Sequence, residues 1–347
     1  MPEQLSPAEF LQQRHSGVVI DVRTPAEYES GHIPGAINMP LFSNDERAIV
    51  GTIYKQIGKD EAVEKGLELV GPKMAGFVKK AKQVSQKRPL FIHCWRGGMR
   101  SGSMAWLLET AGLKCFLLQG GYKAYRASFE TLLNSHNWQF IIIGGPTGCG
   151  KTSILKALHN RGEQVLDLEG LANHKGSAFG AMGQAPQPTN EQFENDIHEV
   201  MRSFDPEKRI WVEGESRTIG HNFIPLKLFP LLEAANIVEI EMPLEQRLNR
   251  LVLEYASFEP IRLMEAFLKI QKRLGGLRTQ QAIAHLLENN YRDAAEIALQ
   301  YYDKSYAHTL NQRKGTHTLL SVEKDDPEET AEKLRSMRVE ELKSLRV

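Results

Sequence analysis

Short apolar runs alternate with amphipathic segments in the N-terminal part of the chain. Apolar runs end at Asp21, His93 and Leu118, and each is soon followed by a proline or a glycine. Such bounded runs are typical of buried strands, and the segments between them have helical periodicity. Strands that alternate with helices form parallel sheets covered on both faces. The pattern therefore predicts an α/β domain over residues 1–138.

The same pattern starts again at Gln139. An apolar run up to Ile143 leads into a glycine-rich loop and then a helix, and residues 244–312 have mainly helical periodicity. This predicts a second α/β domain with a helical C-terminal part over residues 139–320. The charged tail predicts a C-terminal surface helix over residues 321–347.

One segment of the second domain has neither periodicity. Residues 176–190 contain glycines and prolines and no aliphatic run, which predicts a loop. Loops of this length are often functional, so we expect it to close over a substrate, with Phe179 and Met182 as contacts for an apolar tail.

Composition narrows the class of protein. Hydrophobic residues make up 41% and charged residues 25%, as in ordinary globular proteins. The 43 basic and 43 acidic residues cancel, which excludes a histone-like polycation. Three cysteines do not make a disulfide framework. No apolar run approaches the ~20 residues that span a bilayer, so we expect a cytoplasmic protein with no membrane partner.

The first candidate site is a cysteine loop at the end of a predicted strand. Cys94 directly follows the strand, and two glycines, Gly97 and Gly98, and two arginines, Arg96 and Arg100, precede the next helix. Loop N–H groups and a helix N terminus stabilise a thiolate. We expect Cys94 to be the nucleophile, the glycines to admit an anion and the arginines to clamp it. The alternative is a cysteine that is merely buried.

A basic stretch surrounds this loop in the sequence. Residues 73–126 contain eleven lysines and arginines and a single acid, Glu109. Such an excess attracts polyanions, so Lys79, Lys80 and Lys82 are candidate nucleic-acid contacts. A solvated basic helix is the alternative interpretation.

The second candidate site is a glycine-rich loop at residues 145–152, which reads GPTGCGKT. It follows an apolar strand and precedes a helix, as a P-loop requires. Its N–H groups would cradle a diphosphate, with Lys151 as a point charge and Thr152 beside any Mg²⁺. The glycines of the pattern are Gly145, Gly148 and Gly150.

P-loops are usually accompanied by a Walker B acid at the end of another strand, and the sequence does not identify that acid clearly. Asp167 and Glu213 each end an apolar run and could support Mg²⁺ or the diphosphate. Neither closes a strong Walker B strand, so the pattern leaves open whether the diphosphate belongs to ATP. We expect no tightly bound cofactor and no certain metal site.

The motifs together resemble a known family. The cysteine loop and residues 21–40, DVRTPAEYESGHIPGAINMP, resemble the rhodanese superfamily. Joined to a P-loop domain, they resemble the tRNA 2-selenouridine synthases. Further stretches carry this resemblance: NDERAIVGTIYKQIG at 44–58, GGYKAYR at 120–126, DLEGLANHKGSAFG at 167–180, WVEGESRTIG at 211–220 and YYDKSY at 301–306.

This resemblance implies a reaction. Such enzymes replace the sulfur of 2-thiouridine at the tRNA wobble position with selenium from selenophosphate, and they geranylate that sulfur with geranyl diphosphate. It implies that Cys94 serves the selenium step, that Arg96 and Arg100 bind selenophosphate, and that the P-loop takes geranyl diphosphate. It also implies tRNA as partner and an enzyme that supplies selenophosphate. Whether selenium passes through Cys94 or the anion attacks directly stays open.

Two other functions fit parts of the sequence. His93, Cys94 and Arg100 have the H-C-x5-R spacing of phosphatases, although no acid lies between the cysteine and the arginine. The alternative enzyme is therefore a phosphatase or sulfurtransferase fused to a small-molecule kinase. A non-catalytic alternative is a tRNA-binding regulatory module in which Cys94 only binds an anion.

Overall fold

The computed structural model describes residues 2–310 and 315–337, with the backbone alone at 308–310. The chain divides into two compact units, Met1–Ser135 and His136–Val347, close to the boundary that the sequence places at residue 138. None of the described helices is both long and apolar enough to cross a membrane.

The first unit is a five-stranded parallel sheet in the order β1-β5-β4-β2-β3. Its strands are β1 Glu3–Leu5, β2 Val18–Asp21, β3 Ile37–Asn38, β4 Leu90–His93 and β5 Cys115–Leu118. Its helices are α1 Pro7–Gln13, α2 Pro25–Ser30, α3 Asn44–Gln56, α4 Lys59–Val70, α5 Met74–Ser85, α6 Met99–Thr110 and α7 Gly121–Ser135.

Apolar clusters cover both faces of this sheet. On one face, Ala81 of α5 and Met104 and Leu108 of α6 pack on the strands, and on the other Phe10 of α1 and Tyr125 of α7 do so. The short apolar strands are thus buried on two sides, as their sequence predicts. The parallel-sheet α/β fold predicted for this unit is confirmed.

The second unit is also built on a five-stranded parallel sheet, in the order β12-β11-β6-β8-β7. Its strands are β6 Gln139–Gly144, β7 Gln164–Leu166, β8 Arg209–Glu213, β9 Thr218–Ile219, β10 Asn222–Phe223, β11 Asn236–Glu241 and β12 His317–Ser321, of which β9 and β10 form a separate antiparallel pair. Its helices are α8 Lys151–Asn160, α9 Leu168–Ala172, α10 Asn190–Arg202, α11 Phe229–Ala234, α12 Leu244–Tyr255, α13 Pro260–Leu274, α14 Gly276–Leu287, α15 Tyr291–Leu310 and α16 Pro327–Ser336.

The C-terminal part differs from the surface helix predicted over residues 321–347. β12 pairs with β11 and adds an edge strand to the sheet, and α16 begins only at Pro327, where Asp326 caps it. Ala331 and Leu334 are fully buried in the core that α8 also contributes to. The segment therefore belongs to the fold of the second unit. Residues 338–347 of the predicted helix lie outside the described residues.

Candidate functional site

Cys94 lies at the carboxyl edge of the first sheet, directly after β4. Its side chain is 2% exposed, and its Sγ is 3.2 Å from the hydroxyl of Ser101 in α6. The N–H of Tyr122 donates to the Cys94 carbonyl at 2.8 Å, and the N–H of Lys123 donates to the Trp95 carbonyl at 2.9 Å. Hydrogen bonds from the start of α7 thus fix the backbone of Cys94 and of the residue after it.

Glycines make this close packing feasible. Gly97 has a φ of +66°, and Gly121, opposite it at the start of α7, has a φ of +62°. A Cβ on Gly121 would lie 2.4 Å from the Cys94 carbonyl oxygen, far inside any contact distance. By contrast, a Cβ on Gly98 would meet nothing within 4 Å. Gly97 is therefore needed for the shape of the loop, while Gly98 leaves its outer side open.

The two predicted anion-binding arginines differ. Arg96 is exposed, whereas Arg100 makes two hydrogen bonds to the Glu27 carboxylate, from Nη1 at 2.7 Å and from Nη2 at 3.2 Å. Burial raises the pKa of Glu27, but Arg100 and the Thr24 N–H lower it overall, so Glu27 is ionised. Arg100 is thus held against α2, and Arg96 is the arginine open to an incoming anion.

A buried ionic group lies beneath the loop, and sequence reasoning assigned it no role. Arg23 donates to both carboxylate oxygens of Asp21 and stacks over the Tyr122 ring, 3.7 Å from its centroid. His93 Nε2 is 3.8 Å from Asp21 Oδ2, and burial lowers the pKa of His93. All these side chains are fully buried. They support the strand ends on which Cys94 stands.

The predicted nucleic-acid contacts lie on α5. Lys79, Lys80 and Lys82 are all exposed, and Lys80 Nζ donates to the Asn38 carbonyl at 3.2 Å. Lys73, just before this helix, pairs with Glu46 at 2.6 Å. The three lysines form a basic strip on the outer surface of α5.

In the second unit, β6 leads into the P-loop and α8 follows it. Gly148 and Gly150 have φ values of +86° and +81°, and Lys151 Nζ donates to the Gly145 carbonyl at 3.0 Å. Burial lowers the pKa of Lys151, but nearby acidic groups raise it overall, so the amine is charged. The loop thus lies at the N terminus of α8, a place where backbone N–H groups can bind phosphate.

Two glutamates meet at Thr152. Its Oγ1 is 2.8 Å from Glu213 Oε1 and 3.3 Å from Glu169 Oε2. Asp167, predicted alongside Glu213, instead caps α9, where its Oδ1 accepts the Gly170 N–H at 2.7 Å. Sequence reasoning missed Glu169, although it lies only two residues after Asp167 in the same motif.

Both glutamates are buried, which changes their charge. Burial, with neighbouring acids, raises the pKa of Glu169 to about 10 and that of Glu213 to about 8. Glu213 Oε2 has no hydrogen-bond partner among the residues that the structure describes. A hydroxyl and the ionised form of a carboxyl beside a P-loop are oxygen ligands of the kind that Mg²⁺ takes together with substrate phosphates. The described residues contain no group of three or more His, Cys, Asp or Glu that could hold a metal alone.

Two helices distant in sequence hold the P-loop. Arg247 of α12 donates to the Thr147 carbonyl at 3.2 Å and pairs with Asp303 of α15 through two hydrogen bonds of 2.8 and 2.7 Å. The Gly145 N–H donates to the hydroxyl of Tyr306 at 2.6 Å. Sequence reasoning assigned these three side chains no role, although Asp303 and Tyr306 lie in the YYDKSY stretch.

An apolar cavity adjoins the P-loop at Thr147. It contains about 530 Å³ of space, part of which is open to solvent, and it is lined chiefly by side chains of α12 to α15. Phe179, from the loop at residues 176–190, also lines it, and Met182 packs against the same helices. The remaining lining includes Leu251, Tyr255, Leu263, Phe267, Ala298 and Tyr302.

Family models match both units of this chain. Residues 6–128 match the rhodanese-like domain, and residues 138–340 match the tRNA 2-selenouridine synthase AAA domain. A solved structure, the N-terminal domain of a putative ATP/GTP binding protein from Clostridium difficile 630, is 47% identical with a TM-score of 0.31 and covers 32% of this chain and 87% of its own.

Full-length relatives match nearly end to end. A tRNA 2-selenouridine synthase of Bdellovibrio bacteriovorus is 36% identical over 349 residues, which cover 86% of this chain and 90% of that protein. The protein of the same name from Hydrogenovibrio crunogenus is 35% identical and covers 85% of this chain and 90% of its own. The resemblance seen in the sequence is thereby confirmed, and the chain belongs to the tRNA 2-selenouridine synthase family.

Proposed function

We propose that this chain is a tRNA-modifying transferase that converts wobble 2-thiouridine to 2-selenouridine with selenophosphate, through an S-geranyl intermediate made from geranyl diphosphate. The names of its relatives support the modification of tRNA. The single observation that supports the geranylation step is the apolar cavity that opens at the P-loop.

The cavity and the P-loop suit the two ends of one ligand. A diphosphate in the cradle places its substituent next to Thr147, which belongs to both the loop and the cavity wall. The wall offers aliphatic and aromatic side chains, which suit an isoprenoid tail better than a purine with its polar edge.

The groups around the cradle can assist alkylation of sulfur. The thiocarbonyl sulfur attacks C1 of the geranyl group, the carbon–oxygen bond breaks, and diphosphate leaves with the electron pair as the base loses its N3 proton. Lys151 and the N–H groups of the loop stabilise the charge that develops on the leaving diphosphate. Thr152 and Glu213 are the residues that would hold Mg²⁺, which would neutralise further phosphate charge.

The selenium step is assigned to the Cys94 loop. Selenophosphate attacks C2 of the alkylated base through its selenium, geranylthiolate leaves with the electron pair of the carbon–sulfur bond, and water then cleaves the selenium–phosphorus bond to release phosphate. Geranylthiolate leaves more readily than the original thiocarbonyl sulfur, so alkylation prepares the base for exchange. Arg96 is the exposed cation available to the phosphate group of selenophosphate. The lysines of α5 contribute the electrostatic attraction for tRNA, and an enzyme that makes selenophosphate is the expected supplier.

Filling the cavity tests the geranylation step. Ala298 lines the cavity on α15, so Ala298→Leu should weaken geranyl diphosphate binding at least about tenfold and leave inorganic diphosphate binding unchanged. Ala307→Leu, on the exposed side of the same helix, is the matched control. The readouts are calorimetric binding and mass spectrometry of nucleosides from thiolated tRNA. Unchanged geranylation by Ala298→Leu, or tRNA-stimulated ATP turnover without affinity for geranyl diphosphate, contradicts the proposal.

A further inference from the structure

A stripe of exposed side chains follows α6 from the Cys94 loop outward. Met99 is 58% exposed and Trp106 is 60% exposed, and the smaller Ser103 lies between them on the same face. Positions 99, 103 and 106 share one face of a helix because their spacing follows its 3.6-residue period. The stripe begins where the Cys94 loop ends, since Ser101 of the same helix contacts the thiol.

The indole of Trp106 lies uncovered on this stripe. No ring contact and no side-chain hydrogen bond joins the indole to any other residue that the structure describes. Besides the backbone hydrogen bonds of α6, the Trp106 carbonyl accepts a hydrogen bond from the Thr110 hydroxyl at 2.9 Å. No side chain projects at Gly102, one turn before Trp106, and a Cβ built there would meet nothing within 4 Å. A flat ligand therefore has room to lie against the indole.

The charge around this stripe favours a nucleic acid. α5 packs beside α6 through Ala81 and Met104, and its exposed face carries Lys79 and Lys82. At the other side of the loop, Lys123 is exposed at the start of α7. A second protein copy would bring equal positive charge to this surface, whereas RNA brings phosphates.

We propose that Trp106 is a stacking platform for an unpaired base of the tRNA anticodon loop, beside the wobble nucleotide that reaches Cys94. The inference rests on the proposed action on tRNA and adds the residue that orients the RNA. Met99 and Trp106 are seven residues apart, which is about 10 Å along a helix, so a single RNA loop can reach both the platform and the cysteine loop. Base–aromatic stacking has no sequence preference, which suits a platform that holds a flanking base while another group acts on the target.

Fluorescence of the full chain with a thiolated anticodon stem-loop tests the platform. We expect the RNA to quench part of the tryptophan emission of the wild-type protein, because a stacked base contacts the indole. Trp106→Phe should bind within about twofold of wild type but lose that quenching. Trp106→Ala should bind at least about fivefold more weakly. Tyr54→Ala is the matched control, since Tyr54 on α3 is also 60% exposed.

Two outcomes overturn the proposal. One is wild-type affinity and wild-type selenation by Trp106→Ala, with quenching retained in Trp106→Phe. The other is a change in oligomeric state of Trp106→Ala, measured by ultracentrifugation, at unchanged RNA affinity, which assigns the surface to protein association. Failure of the proposed function is distinct, because the wild-type protein itself then leaves the thiolated RNA unmodified.

Discussion

At the scale of single residues, backbone conformation at one glycine decides whether the Cys94 loop can form. Gly121 combines a φ of +62° with a backbone oxygen and two backbone nitrogens inside 3 Å of where a Cβ would lie. The crowding atoms are main-chain atoms, so no side chain can move aside. Gly112 also has a positive φ, +84°, but open space around it.

We therefore expect Gly121→Ala to be much more harmful than Gly112→Ala. A residue other than glycine in the left-handed conformation lowers the stability of the fold by about 1–2 kcal/mol. In Gly112→Ala this conformational term is the whole expected loss of stability. Gly121→Ala adds displacement of the Cys94 backbone, so it should also abolish selenation. Thermal unfolding and a selenation assay measure the two effects. Equal loss of stability in the two variants would show that the close approach has no consequence.

A second residue-scale prediction concerns Glu213, whose pKa is raised from its ordinary 4.5 to about 8 by burial. Between these pH values the folded carboxyl keeps a proton that the unfolded chain has lost, so stability falls as pH rises through this window. Glu213→Gln cannot ionise, so its free energy of unfolding should exceed that of wild type at pH 8 by on the order of 4 kcal/mol, with little difference near pH 4.

Unfolding of ligand-free protein at a series of pH values measures this difference. Glu233→Gln, at an exposed position of α11, is the control and should follow wild type throughout. A Glu213→Gln protein with the wild-type pH dependence would mean that this carboxyl is ionised in the folded state.

At the scale of elements, one helix, α15, contacts both the apolar cavity and the P-loop. Ala298 and Tyr302 line the cavity. Asp303, the next residue, pairs with Arg247, and Tyr306, one turn beyond Tyr302, accepts the Gly145 N–H of the P-loop. Helical spacing places these contacts on neighbouring faces. One helix thereby positions both parts of the site proposed for geranyl diphosphate.

The lysines of α5 are predicted to attract tRNA electrostatically. Replacing Lys79, Lys80 and Lys82 with Glu should weaken tRNA binding and flatten its salt dependence, by about 0.9 in the log–log slope for each phosphate that the protein no longer neutralises. Filter binding at several salt concentrations gives the slope. Lys55→Glu with Lys59→Glu, both exposed on α3 and α4, is the control. An unchanged slope in the triple variant would make the strip an ordinary solvated surface.

At the scale of the whole molecule, the two anion loops belong to different compact units. Cys94 follows a strand of the first unit, and Lys151 begins a helix of the second. Each unit has its own sheet and apolar core. Damage to one loop should therefore leave the chemistry of the other intact.

Cys94→Ala should abolish 2-selenouridine formation and leave S-geranylation measurable. Lys151→Ala should lose geranylation, and with it conversion of 2-thiouridine, yet regain selenation when given geranylated tRNA. Mass spectrometry of tRNA nucleosides distinguishes these products. Full selenation by Cys94→Ala, or no rescue of Lys151→Ala by geranylated tRNA, would contradict this division of labour.

The sequence by itself determined the chemistry that lies in contiguous residues. The cysteine loop and the P-loop are each a strand end, a glycine-bearing turn and a helix start, so their local pattern fixes the group that they present. The same holds for the alternation of strands and helices that predicts the parallel sheets. In these segments, residues that are neighbours in the sequence are also neighbours in the folded structure.

Only the tertiary structure decided which distant residues meet. The pairing of Arg100 with Glu27, the approach of Glu169 to Thr152 and the cavity lined by four helices join segments far apart in sequence. β12 likewise forms a strand because it pairs with the edge of β11, and the sequence pattern predicts no strand there. Periodicity determines which face of an element is buried but not what covers it, and packing supplies that partner.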